Sequence, residues 1–215
     1  MSQPVFASVY PVNLDLYGRQ VLVVGGGPVG ARKASGLLQA HAVVTVVAPS
    51  AIEYITNHPE ITWHQRRYQP GELASYRLAI TATNNPEVNA QVALDGDASN
   101  VLVNSADDPA NCSFILPAVI TRGDLQITVS TNGRSPAMAQ WVRRKLESIF
   151  TDTHGDLLNV LSDIRSEARA RFGSSELPGW DDAINDALVD HIASGHLDLA
   201  RQRVRGALGL EGPLK

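Results

Sequence analysis

Three glycines at a fixed spacing are the residues that point most directly to chemistry. Gly25, Gly27 and Gly30 fit G-x-G-x-x-G, directly after the apolar run Val21–Val24 and at the start of a helical pattern. The first glycine permits a tight turn, the second lets a pyrophosphate approach the backbone, and the third lets helix and strand pack closely. Because free N–H groups and the positive end of a helix dipole suit an anion, this motif predicts a bound dinucleotide. A purely structural turn is the alternative.

Two further features bear on how such a cofactor is held. Pro28 fits the first helical turn, where its missing N–H costs nothing. The carboxylate that usually holds the adenine ribose, about 20 residues beyond the glycines, is missing, because Ala48-Pro49-Ser50 is followed by no acid before Glu53. The ribose is therefore assigned to Ser50 or to backbone groups. Since no carboxylate would repel a 2′-phosphate, the residues alone leave both NAD and NADP open.

A pair of adjacent aspartates, Asp107 and Asp108, follows the apolar run Val101–Asn104. One interpretation is a solvated turn with an Asp cap, since Asp-Asp-Pro is common in turns. The other is that one carboxylate faces the nicotinamide and accepts a proton. The position of the pair leaves both interpretations open.

Other reactive side chains give weaker patterns. The six histidines make no zinc-binding spacing with one another or with cysteine, so the sequence predicts no metal site. Cys112 has no histidine nearby in sequence and is predicted to be an inert buried thiol. No tyrosine is followed four residues later by lysine, so the usual catalytic pair of short-chain reductases is absent.

Cationic side chains gather around a predicted helix start. A solvated helix face is the favoured interpretation of such a group. A substrate that bears several carboxylates would reverse it, because Arg guanidinium groups bind carboxylates in pairs. The residues concerned are Arg122, Arg134, Arg143, Arg144 and Lys145, with Ser135 as the predicted N-cap.

Strands and helices must alternate to bring these side chains together. This alternation predicts an α/β, Rossmann-like, doubly wound parallel sheet, whose ligands bind beyond the carboxyl ends of the strands. The predicted strands are Val21–Val24, Val43–Val47, Ile61–His64, Leu78–Thr81 and Val101–Asn104, with helices at Ala31–Gln39, Ile52–Asn57 and Glu87–Leu94.

From Cys112 onward the pattern changes. Phe114–Ile120 and Leu125–Ser130 predict a hairpin, and Pro136–Phe150 predicts a helix. A hairpin and one helix are too small to be stable alone, so we expect a second subunit to complete this α+β layer. The remaining residues, 151–215, predict a helical C-terminal domain.

Two details complete this organisation. In the tail, Asp181 is predicted to cap a helix with Ile184, Leu188 and Ile192 inward, ended by Gly195. The predicted domains are a cofactor-binding domain at 1–112, a dimerisation hairpin and helix at 113–150, and a helical domain at 151–215.

Bulk composition excludes several classes. With 215 residues and a formal net charge of -4, no basic field favours nucleic acid as a partner. The first eleven residues lack the pattern of a signal peptide. No apolar stretch approaches the roughly 20 residues of a membrane span. The single cysteine fits a reducing compartment, and we expect a cytoplasmic protein.

Six ordered segments together resemble one family, that of the precorrin-2 dehydrogenases of sirohaem biosynthesis. Some members of it are also sirohydrochlorin ferrochelatases, and some are fused to a uroporphyrinogen methyltransferase, which does not follow in this sequence. The segments are Val23–Lys33, Val46–Pro49, Ala82–Asn89, Val103–Pro109, Cys112–Ala118 and Val129–Pro136. The tail resembles the family only in being helical.

The resemblance implies an NAD-dependent oxidation of precorrin-2 to sirohydrochlorin by a homodimer interlocked through the hairpin region. It implies Asp107 as the essential acid, which we predict to be the proton acceptor. Many members have Thr-Asp-Asp where this chain has Thr83-Asn84-Asn85. The predicted cofactor contacts are Gly25, Gly27, Pro28, Val29, Gly30, Pro49, Ser50, Thr83 and Asn84, and the predicted contacts of the tetrapyrrole substrate are Arg134, Ser135 and Asn104.

Three functions remain open at this point. The first is the dehydrogenase, with iron insertion, and hence ferrous iron as a further substrate, as an activity that the sequence does not decide. The second is a non-catalytic, dimeric NAD-sensing module, which would need neither a base nor an anion-binding helix start. The third is a chelatase that no longer oxidises.

Overall fold

A computed structural model describes residues 9–106 and 108–212, and their contacts form two compact units. One unit holds the chain up to Leu116 together with Asn132–Ser135, and the other holds Pro117–Thr131 and the chain from Pro136 onward. The predicted division into domains at 112 and 150 stays a prediction.

The first unit is built on one sheet of five parallel strands in the order β3-β2-β1-β4-β5. This confirms the predicted doubly wound α/β sheet. The elements are β1 (Gln20–Gly26), α1 (Pro28–Gln39), β2 (Val43–Ala51), α2 (Glu53–Asn57), β3 (Ile61–His64), β4 (Leu78–Thr81), α3 (Pro86–Ser99) and β5 (Leu102–Ser105).

The strands are continuous apolar runs because both faces of the sheet are covered. In β1, Val21 and Val23 belong to the core that contains Ala34 of α1, whereas Leu22 belongs to the core that contains Val92 of α3. The strand order reverses between β1 and β4, and such a reversal opens a ligand crevice at the carboxyl ends of those two strands.

Strand β2 is longer than predicted, since it was expected to end before Ala48-Pro49-Ser50. Its partner β3 ends where His64 pairs with Val47, so Pro49 lies beyond that ladder and its missing N–H disrupts no pairing there. On the other side, Gly26 pairs with Ala51 after a shift of register, and Ile52 N–H donates to Gly26 O at 2.9 Å. The two strand ends therefore stay together up to the glycine turn.

The second unit contains the predicted hairpin and a helical tail. Antiparallel strands β6 and β7 pair from Ala118–Val129 to Arg122–Leu125. Its elements are β6 (Ala118–Arg122), β7 (Leu125–Val129), α4 (Pro136–Glu147), α5 (Asp152–Phe172), α6 (Trp180–Ala183), α7 (Asp186–Ala193) and α8 (Leu197–Ala207). Helices α5, α7 and α8 share one apolar core, in which Ile164, Leu188 and Val204 are buried.

The helix predicted to start at Asp181 is wrong in its boundary. Two short helices, α6 and α7, replace it, and Ile184 between them is 46% exposed. The side chain of Asn185 accepts a hydrogen bond from Leu188 N–H at 3.2 Å, so α7 starts there. Leu188 and Ile192 are buried, as predicted.

Among residues 9–106 and 108–212, no helix is both long and apolar enough to cross a bilayer.

Candidate functional site

The glycine turn between β1 and α1 has a shape that side chains would block at two of its positions. Gly25 has a φ of 122°, and a Cβ there would lie 2.3 Å from Ala82 O. A Cβ on Gly30 would lie 2.1 Å from Gly25 O, so α1 can approach the end of β1 only with glycine at this position. Both residues therefore shape the turn through backbone packing.

Gly27 differs, because a Cβ there would meet no described atom within 4 Å. It is the N-cap of α1 and Pro28 is the first helical residue. Gly27 has no side chain to cap the helix, and the first bonded N–H is that of Ala31, which donates to Gly27 O at 3.0 Å. The N–H groups of Val29 and Gly30 thus have no partner within the helix, and free N–H groups at a helix start suit an anion such as a pyrophosphate.

Gly26 is a structural glycine that the sequence analysis did not assign. A Cβ on it would lie 2.2 Å from Ser50 O and 2.8 Å from the Cβ of Ala51. This close approach brings the end of β2, with Pro49 and Ser50 exposed on it, beside the glycine turn. The sequence signal was the run of three consecutive glycines, because the G-x-G-x-x-G spacing explains only Gly25 and Gly27 of this run.

The second wall of the crevice is the loop after β4. Ala82 N–H donates to Val24 O at 2.8 Å, which ties this loop to the end of β1. Thr83 Oγ1 donates to Asn89 Oδ1 at 2.8 Å, and Asn89 Nδ2 donates to Thr83 O at 3.2 Å. Asn85 caps α3 by accepting hydrogen bonds from two backbone N–H groups of its first turn. The loop is therefore held from both sides.

Asn89 is a supporting residue that the sequence analysis missed. Asn89 is polar but only 6% exposed, and it is buried on the same helix as the apolar Val92. Buried amides need hydrogen-bond partners, and Asn89 finds both of its partners on Thr83. A polar residue on the inward face of the predicted helix was the signal that could have found it.

A cavity of about 320 Å³ opens where these elements meet. It joins the helix start at Val29, the loop after β4, and both neighbours of position 107. The lining residues are Val29, Ala82, Thr83, Asn84, Pro86, Asn89, Ala106 and Asp108. The structure thus brings three of the predicted segments together at the β1–β4 reversal, whereas Pro49, Ser50, Asn104 and Arg134 do not line the cavity.

A larger cleft, of about 780 Å³, lies in the second unit along α5 and α8. Both of its lining arginines are paired with acids, Arg201 with Asp163 at 3.3 Å and Arg205 with Glu167 at 3.1 Å. The helix start that lines it, that of α8, carries the carboxylate of Asp198, which would repel an anion there. The smaller cavity is therefore the better candidate for a cofactor.

The predicted base, Asp107, lies outside the described residues. Its neighbour Asp108 accepts a hydrogen bond from Asn111 Nδ2 at 2.6 Å and precedes a turn of 3-10 helix at Pro109–Asn111. The carboxylate of Asp108 is thus bonded within this turn, as the interpretation of the pair as a turn expects.

The predicted substrate contact Asn104 is buried, and its amide nitrogen donates to Phe114 O at 3.0 Å. Cys112 is half-buried, and burial raises the pKa of its thiol, with the charge of Asp108 acting in the same direction and the Ser105 N–H against it. A thiol with a raised pKa is a poor nucleophile, in line with the prediction of an inert cysteine.

Among the cationic residues, Arg122 and Arg143 are paired within the second unit, and the Lys145 ammonium lies 6.0 Å from the ring centroid of Trp141. Arg122 Nε donates to Phe150 O at 3.0 Å and lies 3.3 Å from Asp152 Oδ1, and Arg143 pairs with Glu147. Arg134 is exposed and Ser135 is half-buried. In the part of the chain that the structure describes, no three His, Cys, Asp or Glu side chains are placed to hold a metal ion.

Comparison with known proteins gives two family matches in succession. Residues 12–118 match a family described as NAD(P)-binding, and residues 122–149 match the central region of sirohaem biosynthesis proteins. The two matches together span well over half of the chain, and the first of them agrees with the glycine turn in indicating a nicotinamide cofactor.

Curated relatives carry the name siroheme synthase. The protein of Photorhabdus laumondii is 34% identical over 203 residues, which is 92% of this chain and 43% of that protein. The protein of Chromobacterium violaceum is 34% identical over 208 residues, or 94% of this chain and 44% of that protein. The chain thus spans less than half the length of the curated relatives it matches.

Among solved structures, the chain is similar to SirC, a precorrin-2 dehydrogenase. The two are 27% identical, superpose with a TM-score of 0.69, and align over 94% of this chain and 98% of that one. Here the likeness extends over nearly the full length of both chains.

Proposed function

The chain belongs to the family of siroheme synthases and precorrin-2 dehydrogenases, and we propose that it oxidises precorrin-2 to sirohydrochlorin with NAD as the hydride acceptor. The observation that carries the proposal is the cavity at the β1–β4 reversal. It joins the free helix start at Val29, the Thr83–Asn84 loop and the two neighbours of position 107. A dehydrogenase needs a cofactor cradle and a proton acceptor at one crevice, and these segments supply them.

Each segment has a separate task in this reaction. The N–H groups of Val29 and Gly30 bind the pyrophosphate, and the open position of Gly27 admits it. Thr83, fixed by Asn89, forms the wall beside the nicotinamide. The nicotinamide, when bound, supplies the carbon that accepts a hydride.

The oxidation removes two electrons and two hydrogens from the reduced tetrapyrrole, so a proton must leave besides the hydride. We assign this proton to the carboxylate of Asp107. Support comes from Ala106 and Asp108, the residues on either side of it, which both line the cavity. In this proposal, one loop carries the general base, and the neighbouring loop forms the wall beside the nicotinamide that accepts the hydride.

NAD rather than NADP is part of the proposal and follows from the family resemblance. Pro49 and Ser50 are exposed at the end of β2, beside Gly26, and are the proposed ribose contacts. Because no acid lies between Ala48 and Glu53, charge repulsion does not select against a 2′-phosphate. The comparison of initial rates with NAD and with NADP tests this choice, and faster turnover with NADP would overturn it.

The remaining contacts stay proposals of the same kind. Arg134, Ser135 and Asn104 are proposed to bind the carboxylates or polar edge of the tetrapyrrole, a task that suits the exposed guanidinium of Arg134. A homodimer and a cytoplasmic location are also proposed, on the sequence analysis and the resemblance. Iron insertion is tested separately, with ferrous iron and sirohydrochlorin as substrates of the purified protein.

The central experiment mixes purified protein, precorrin-2 and NAD with oxygen excluded, and follows the absorbance of NADH. We expect NADH and sirohydrochlorin in equal amounts. If NAD binds but no NADH forms, the dehydrogenase is ruled out and the NAD-sensing module takes its place. Metal insertion without any requirement for NAD would instead support a chelatase.

A further inference from the structure

The thiol of Cys112 contacts Ser105 and Asp108, at the two ends of the turn that follows β5. Ser105 N–H donates to Cys112 Sγ at 3.1 Å, and Sγ lies within donating distance of Ser105 O, at 3.3 Å, and of Asp108 O, at 3.4 Å. Sulfur accepts on one side and donates on the other, so the thiol bridges residues 105 and 108. A long hydrogen bond from Asp108 N–H to Ser105 O, at 3.4 Å, also joins the two ends of this turn.

Cys112 is itself held by a separate set of bonds. The segment that follows it returns along β5, where Ser113 N–H donates to Val103 O at 2.8 Å and Val103 N–H donates to Ser113 Oγ at 2.8 Å. Asn104 Nδ2 donates to Phe114 O at 3.0 Å and also lies 3.6 Å from Cys112 Sγ. The sulfur therefore has a fixed position relative to the sheet.

The turn that the thiol bridges is a wall of the cavity, since Ala106 and Asp108 line it. Ala106 N–H donates to Thr81 O at 2.8 Å, which ties the start of the turn to β4. At the end of the turn, the carbonyl oxygen of Asp108 lies within hydrogen-bond distance of the Cys112 thiol, at 3.4 Å. Loss of the thiol thus leaves Asp108 with its bonds to Asn111 and one long bond to Ser105 O, while the start of the turn stays on the sheet.

We propose that Cys112 is a positioning residue, whose thiol links Asp108 to Ser105 and thereby fixes the cavity wall that Ala106 and Asp108 form. The inference rests on the proposed dehydrogenase function. It explains why a cysteine that has no nucleophilic partner stands at this point of the chain. The raised pKa of the thiol supports it, because only the protonated sulfur can donate to a carbonyl oxygen.

The experiment compares Cys112→Ser and Cys112→Ala with Ser113→Ala as the matched control. The control removes hydrogen bonds to Val103 in the adjacent strand but none to the turn. For Cys112→Ala we expect kcat to fall about 10-fold to 100-fold, because small misplacements of a reacting group cost this much, while KM for NAD changes little. Ser113→Ala is expected to lower Tm and leave kcat unchanged.

The serine variant separates positioning from mere stability. Its hydroxyl can still donate to a backbone carbonyl, so kcat should recover part of the loss, in the order Cys, Ser, Ala. Burial of a hydroxyl in place of a thiol costs stability, so Tm should not follow that order, with Cys112→Ser no more stable than Cys112→Ala. A kcat that instead follows Tm through all three variants would overturn the proposal.

Hydrogen exchange gives a readout that does not need the reaction. In Cys112→Ala we expect faster exchange at the amides of Ser105 and Asp108, and in Ser113→Ala faster exchange at Val103 without a change at the turn. If the wild-type protein makes no NADH, the proposed function fails, and the exchange data still decide whether the thiol fixes the turn. Unchanged exchange at Ser105 and Asp108 in both Cys112 variants would refute it.

Discussion

At the scale of single residues, the two neighbouring aspartates are assigned different roles. Asp108 accepts a hydrogen bond from Asn111 and precedes a helical turn, so its carboxylate already serves the local structure. A general base needs a free lone pair at the cavity in the productive complex. The resemblance to precorrin-2 dehydrogenases implies Asp107 as the essential acid, so Asp107 is the proposed proton acceptor, and the pair itself offers a matched control.

Asp107→Asn should lower kcat about 100-fold to 10,000-fold, the usual contribution of a general base, with little change in NAD affinity. Asp108→Asn keeps an acceptor oxygen for Asn111 and should retain kcat within about ten-fold, since it alters only this turn. Steady-state kinetics with precorrin-2 and a fluorescence titration with NAD measure both effects. Equal losses in the two variants would remove the distinction between these residues.

The glycine turn gives a second prediction for a single residue. Gly27→Ala should raise the Kd for NAD at least about ten-fold, because a methyl group occupies the approach of the pyrophosphate. Tm should fall only slightly, by the cost of alanine in place of glycine at an N-cap, since no described atom lies within 4 Å of the new Cβ. Gly27→Asp should weaken NAD binding further, because a carboxylate would repel the pyrophosphate.

Gly36→Ala is the matched control for Gly27→Ala. It is the same substitution inside the helix that Gly27 precedes, also with no described atom within 4 Å of the new Cβ. It should raise stability by about 1 kcal/mol, as glycine is a poor helix former, and leave NAD binding unchanged. An unchanged Kd in Gly27→Ala as well would mean that the pyrophosphate binds elsewhere.

At the scale of the element, the strands of the parallel sheet were predictable because burial on both faces makes each one a continuous apolar run. The end of β2 was not predictable, because it depends on the pairing of Gly26 with Ala51, two residues that are far apart in the sequence. The same holds for α7, where Asn185 and not Asp181 supplies the cap, and both residues are equally good caps by type.

The site shows the same limit. The glycine spacing predicted a local turn, and the structure has it. The support of Thr83 by Asn89 and of the next turn by Cys112 rests on side-chain hydrogen bonds that no spacing encodes. Sequence patterns identify residues that act through the backbone around them, and they miss residues that hold that backbone in place.

Helix α3 carries a buried carboxylate, that of Asp95, which binds the segment 68–71 through hydrogen bonds. Asp95 Oδ2 accepts hydrogen bonds from Tyr68 O–H at 2.5 Å and Gly71 N–H at 2.7 Å, and its Oδ1 accepts one from Gln91 Nε2 at 2.8 Å. Burial alone would raise the pKa of Asp95, but these three bonds outweigh burial and lower it. The ionised form therefore stabilises the folded protein.

Asp95→Asn should lower the free energy of unfolding by about 2 kcal/mol near neutral pH, the usual worth of hydrogen bonds to a charged group. Since the folded pKa lies below the unfolded value of about 3.9, this stability is fully present above that pH and is lost as the pH falls through the folded pKa. Urea unfolding at a series of pH values measures it. Asp97→Asn, exposed on the same helix, is the control and should have no such effect.

At the scale of the whole molecule, the second unit leaves large apolar side chains in solvent on elements that bury little of their own surface. Val119 on β6 is 42% exposed, and Met138 and Trp141 on α4 are 51% and 50% exposed. A two-stranded hairpin needs further packing for stability. A second copy of the chain on these side chains is the dimer that the sequence predicts.

Trp141→Glu should therefore raise the dimer Kd at least about 30-fold, since a buried tryptophan at an interface is worth about 2 kcal/mol or more. Leu199→Glu on α8 is the matched control, because Leu199 is as exposed, at 51%, but lies on another helix of the same unit. Sedimentation equilibrium of both variants and the wild type measures the association. A wild type that stays monomeric at micromolar concentration, or equal dissociation of both variants, would rule out α4 as the dimer surface. NAD affinity should stay within about two-fold in the Trp141 variant, because the glycine turn belongs to the first unit.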